Sequence, residues 1–187
     1  VDYQDMHRSQ IEDYLGSHTF DYVLGSVHYV NGILMQEQEN YFTGKSIRDA
    51  YIPYFDTALA AVEMGLFDAF AHFDLCKRYG VIQSGKFDLN EFYPNVKAVL
   101  KAIIDKGMAL ELNTSGLRQA PCEVYPGIDT LRLYKELGGT AVTIGSDSHD
   151  VSQLGFGLSV ADSMLVEVGL PAPARFDNRS VSAAESY

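Results

Sequence analysis

Five histidines stand in the 187-residue chain: His7, His18, His28, His72 and His149. Three share a placement. His28 ends the run VLGSVH, His72 lies near the end of FDAFAHFD, and His149 closes TIGSDSH. Each falls at the carboxyl end of an apolar run that reads as a buried strand. Where such strands run parallel, that rim gathers residues distant in sequence into one pocket. Neutral imidazole with carboxylate is a common divalent-metal ligand set. In the D-x-H pair, Asp147 and His149 point to the same side if the strand stays extended through them. The competing reading is structural, since a single histidine near a strand end is commonly a hydrogen-bonded part of the frame. Three at equivalent ends set the metal reading beside it. His7 and His18, on a surface helix and at its exit, keep the structural reading.

The elements that must position these residues follow from periodicity. Apolar runs at 20–28, 66–75, 108–113 and 140–144 predict strands. Between them lie helical patterns. Ile47, Tyr51, Phe55, Ala58 and Val62 recur at helix spacing, with Gly65 as a stop. Pro94 opens a second helix that Gly107 closes; a third runs from Ile128 to Leu137, and a fourth from Leu158 to Val168. A short amphipathic stretch over 3–15 precedes the first strand. Strand and helix in alternation signify a parallel sheet with helical crossovers, α/β in class. No GxGxxG or P-loop sequence follows a strand, which counts against a nucleotide-binding open sheet. A complete (β/α) barrel needs ~250 residues, so the chain reads as a barrel missing its beginning. Residues 30–45 predict a long polar loop, the kind that covers or binds ligand. The Pro-, Ala- and Ser-rich tail, 171–187, is expected to have mobile last residues.

Composition bounds the partners. The net charge is −11, which repels phosphate backbones and counts against nucleic acid. An anionic small substrate then needs a local positive cluster, which bound cations can supply. No window approaches the ~18 consecutive apolar residues of a membrane span, and no leader-like segment opens the chain. Two cysteines, Cys76 and Cys122, make no disulfide framework. Cys76 reads as a buried thiol. A cytoplasmic location is the expectation.

The stretches FDYVLGSVH (20–28), AHFDLCKRYG (71–80), LELNTSGLR (110–118) and VTIGSDSH (142–149) resemble successive motifs of the PHP-type phosphoesterases. The nearest resemblance is to the histidinol-phosphatase branch, and FDNR (176–179) resembles that branch's carboxyl-terminal end. The resemblance implies a distorted (β/α)7 barrel, of which 1–187 would be the later part of a single domain. It implies a trinuclear centre of zinc, iron or manganese. His28 and His72 match ligands of one metal, Asp147 of a second and His149 of a third, with Asp147 and His149 thereby in the catalytic set. Arg78 and Arg118 match positions that hold the substrate phosphate, as guanidinium suits phosphate oxygens. Alternatively, Arg78 and Lys77 cap a solvated turn. Asp74 either orients a ligand or bonds to backbone, and it is one candidate for the acid that protonates the leaving group. Glu37 and Glu39 either contact the amino group of an amino alcohol or belong to a solvated loop.

The implied reaction is hydrolysis of a phosphate monoester, L-histidinol phosphate giving L-histidinol and phosphate in histidine biosynthesis. The family's opening H-x-H motif and metal-bridging Glu are not in this sequence, which begins Val1-Asp2-Tyr3. The chain is therefore expected to be a piece of a longer protein or a truncated product. Two alternatives stand beside the main reading: another PHP phosphoesterase, or a non-catalytic remnant. A metal-dependent amidohydrolase fits less well, because no Lys stands at a predicted strand end to bridge metals.

Overall fold

The computed structural model describes residues 1–182. In chain order the elements are α1 (Arg8–Ser17), β1 (Leu24–Gly25), β2 (Tyr29–Val30), β3 (Ile33–Leu34), α2 (Gln38–Phe42) and α3 (Ile47–Glu63). There follow β4 (Ala69–Phe70), α4 (Lys77–Ser84), α5 (Tyr93–Asp105), β5 (Ala109–Asn113), α6 (Ile128–Glu136) and β6 (Val142–Gly145). The chain then forms α7 (Leu158–Val168) and the hairpin β7 (Arg175–Asp177) and β8 (Ser180–Ser182). One parallel sheet carries the site, in the order β1-β4-β5-β6.

The helices form where the patterns place them. Ser46 caps α3 reciprocally with Asp49: its hydroxyl accepts the Asp49 N–H at 3.2 Å, and its own N–H reaches the Asp49 carboxylate at 3.3 Å. Two donors that the first helical turn cannot satisfy are thus paired. Helix α5 buries Val96, Val99, Leu100 and Ile103, a stripe at helical spacing. Each such side chain contributes ~1.5–3 kcal/mol on leaving water. Helix α3 buries Tyr54, Phe55, Ala58 and Val62 in the same apolar core.

The strands are shorter than the apolar runs. The run 20–28 is not one strand, because its backbone changes partners. Through Gly25 it pairs with β4, whereas Ser26 bonds to the start of the chain: Tyr3 N–H to Ser26 O at 2.7 Å and Ser26 N–H to Val1 O at 2.8 Å. The run 66–75 pairs only at Ala69–Phe70 as a strand, since the N–H of His72 leaves the ladder for the Glu111 side chain. The predicted loop 30–45 is also corrected. It contains β3 and α2, and Met35, Tyr41 and Phe42 are buried. Apolar side chains pin it to the core instead of leaving it a solvated lid.

Among the described residues the parallel sheet has four strands and stays open, in keeping with the expected barrel without its first strands. Tyr22 and Thr143 bridge its concave side, hydroxyl to hydroxyl, at 3.3 Å. No helix among the described residues is long and apolar enough to cross a membrane. The expected mobile end, 183–187, lies outside the described residues.

Candidate active site

The carboxyl ends of β1, β4, β5 and β6 lie at one rim. His28 follows β1 and His72 follows β4, and their rings meet edge to face with centroids 4.9 Å apart. Asp2 orients His28: one carboxylate oxygen lies 3.1 Å from its Nδ1 and accepts its backbone N–H at 3.1 Å. His72 is 5% exposed, and its Nδ1 is buried without a hydrogen-bond partner. Burial, then the neighbouring His28, pushes its pKa down to about 3. The ring is therefore neutral near pH 7, with a lone pair to offer. A buried ring nitrogen with no protein partner, on an imidazole packed against a second one, fits a cation.

Asp147 and His149 come to the same cleft, but not by strand alternation. Strand β6 ends at Gly145, and Asp147 has a left-handed backbone, φ +49°. His149 turns back, its Nδ1 3.0 Å from Asp147 O and 3.7 Å from the Asp147 carboxylate, with its side chain 81% exposed. His72 is left-handed as well, φ +27°. Non-glycine residues avoid this region, at a cost of ~1–3 kcal/mol each. Among the described residues no three His, Cys, Asp or Glu side chains stand close enough together to hold a metal ion. The donors stand around an open cleft.

That cleft, of about 330 Å³, is lined by His28, His72, Glu111, Asp147, His149 and Arg78. A second hollow of about 380 Å³ adjoins it and is lined by Arg78, Arg118, Asp147 and His149. The two hollows share Gln36, Arg78, Asp147 and His149, and Arg118 lines only the second. Arg78 is half-buried, its guanidinium 5.3 Å from the Tyr79 ring centre. Arg118 donates to the carbonyl oxygens of Ser146 and Asp147.

Three expected residues are not brought here. Glu37, just before α2, and Glu39, in its first turn, are exposed and line neither hollow. Glu37 instead accepts from Asn40 at 2.8 Å. Asp74 points away, because the chain turns at His72 and spacing by two no longer means a shared side. Its carboxylate meets Lys77 at 2.9 Å, both side chains fully buried, and Lys77 also pairs with Glu123 at 3.0 Å. Lys77 therefore caps no solvated turn. Burial raises the Asp74 pKa, with Lys77 opposing. Cys76 is buried, as expected.

Sequence reasoning missed Glu111 and Asp2. Glu111 is 5% exposed and accepts both the His72 N–H and the Asn113 amide at 3.0 Å. A lone carboxylate inside the apolar strand MALELN was the available signal. Asp2 gave none, since its partner lies 26 residues away.

The open parallel α/β architecture brings imidazoles, carboxylate and arginine to one rim of the sheet, where α/β folds place their binding residues. The PHP domain matches residues 1–115, and the chain belongs to that family. It is 35% identical over 167 residues to a probable histidinol-phosphatase of Clostridium acetobutylicum, covering 88% of this chain and 64% of that one. It is 33% identical over 161 residues to another of Deinococcus radiodurans, covering 85% and 59%. The chain thus spans about three-fifths of the length of these relatives. Its fold is that of the histidinol phosphate phosphatase of Lactococcus lactis, solved with zinc, L-histidinol and phosphate: TM-score 0.84, 24% identity, 98% of this chain and 70% of that one.

Proposed function

We propose that the protein is a metal-dependent phosphomonoester hydrolase that converts L-histidinol phosphate and water to L-histidinol and phosphate. The observation that carries this reading is the meeting of His28 and His72, the latter with an unpartnered ring nitrogen, in a cleft lined also by Asp147, His149 and Arg78 and adjoining the hollow of Arg118. The relatives' names and the ligands of the Lactococcus lactis structure support the substrate class.

His28, His72, Asp147 and His149 would hold divalent cations, zinc, iron or manganese, in a cluster that the resemblance puts at three ions. Such ions supply positive charge opposite phosphoryl oxygens and make water more acidic. The chain's own residues do the rest. Arg78, facing both hollows, holds the phosphate and spreads its charge, as a guanidinium does bidentately. Arg118 adds positive charge to the same hollow while fixing the Asp147 turn. Asp2 keeps the His28 ring in one orientation, the usual role of a carboxylate behind a ligating imidazole. Asp74 faces a different hollow, with Lys77, so its geometry does not support a role as acid.

The test combines metal and substrate in the complete protein. Chelation is expected to abolish phosphate release from L-histidinol phosphate, and zinc or manganese to restore it. A substrate panel separates this activity from that of another PHP phosphoesterase. That reading has its own support, because the chain is also 35% identical over 112 residues to a probable phosphatase of Shewanella baltica. Turnover that persists without metal would refute the proposal.

A further inference from the structure

We propose that Glu111 is a positioning residue of this site: its buried carboxylate fixes the direction in which His72 presents its imidazole to a divalent cation. The inference rests on the metal-dependent reading above and deepens it.

Three contacts argue for it. Glu111 Oε2 accepts the His72 backbone N–H at 3.0 Å, the bond that would otherwise continue the ladder of β4. Without that acceptor, a left-handed residue would also carry a buried unpaired donor. The same oxygen accepts Asn113 Nδ2 at 3.0 Å, and Asn113 is itself held: its Oδ1 takes the Ser115 N–H at 3.0 Å, and its backbone pairs reciprocally with Tyr125. The acceptor is therefore fixed on a rigid strand.

The other oxygen leans toward β6. A Cβ placed on Gly145 would lie 2.3 Å from Glu111 Oε1, so the space is open only because residue 145 is glycine. Gly145 ends the strand that delivers Asp147. One carboxylate on the middle strand thus touches the end that carries His72 and fills the gap beside the end that carries Asp147. Side chains that aim a ligating residue commonly alter metal affinity when removed, without contacting the metal.

The experiment measures zinc affinity by competition with a fluorescent chelator, and kcat and KM for L-histidinol phosphate, in the complete protein. Glu111→Ala is expected to weaken zinc binding ~10- to 100-fold and to lower kcat more than it changes KM. Glu111→Gln keeps an oxygen for the His72 N–H and is expected to recover most of that loss. Gly145→Ala keeps the carboxylate but displaces it, and is expected to weaken zinc binding in the same direction. Wild-type zinc affinity in Glu111→Ala overturns the proposal. Should that variant not fold, wild-type affinity in Gly145→Ala overturns it instead. A wild-type protein that takes up no zinc overturns the metal-dependent reading itself, a separate result.

Discussion

Arg118 donates to the carbonyl oxygen of Asp147 at 2.6 Å from one terminal nitrogen, and to that of Ser146 at 2.8 Å from the other. Asp147 is left-handed there, and a charged donor on its carbonyl helps to hold that strain. Bonds from a charged group are worth ~1.5–3 kcal/mol each. A residue that the resemblance assigns to phosphate is therefore also the clamp on the turn that carries a candidate ligand. Arg118→Ala is expected to lower kcat/KM ~100-fold, the equivalent of about one such bond, and to reduce bound metal as well. Metal analysis beside kinetics decides. Full metal content with only a raised KM would leave phosphate binding as its sole role.

Arg78 makes the contrasting case. It faces both hollows without a bond to the Asp147 turn. Arg78→Ala is expected to lower kcat/KM for the phosphate ester by ~10- to 100-fold with metal content unchanged. Arg78→Lys is expected to restore little of it, since an ammonium cannot match two oxygens at once. Steady-state kinetics and inhibition by inorganic phosphate check this, and full recovery by Lys would reject bidentate binding.

The helices were legible because their signals are local. Gly65, Pro94 and Gly107 mark ends that the structure keeps. The site was legible as a gathering of His28, His72, Asp147 and His149, since strand ends in a parallel sheet converge. Its fine geometry was not. Two left-handed residues, His72 and Asp147, break the alternation by which His149 was expected to align with Asp147, and of the two readings of Asp74 the backbone-bonded one holds, through the Gly127 N–H. Glu111 and Lys77 escaped because what buries them comes from other elements: His72 after β4 for one, Glu123 and Val124 for the other. No spacing within one run encodes such a partner.

The cap of α3 offers a stability test away from the site. Ser46→Ala removes the acceptor for the Asp49 N–H and is expected to cost ~1 kcal/mol. Urea denaturation should show a lower midpoint with an unchanged slope. Activity of the folded protein should not change, because neither residue lines the candidate site.

The buried pair Asp74 and Lys77 gives a pH dependence with a defined sign. Burial raises the Asp74 pKa above its ordinary 3.8, while Lys77 and the Gly127 N–H pull the other way and Glu123 adds to the rise. The unfolded chain then releases this proton near pH 3.8, and the folded chain only at higher pH. Between the two values the folded state binds more protons, so this group's contribution to stability is complete below pH 3.8 and declines as pH rises through the folded pKa. Asp74→Asn has no such proton. The variant keeps the shape of the protonated carboxyl, so it should match wild type below pH 3.8 and become the more stable of the two as pH rises through the folded pKa. Lys77 keeps Glu123 and the Val124 carbonyl in both proteins. Urea unfolding of both proteins across that range measures the difference, and a wild type that gains on the variant as pH rises would mean that the attraction of Lys77 outweighs the cost of burying the charge.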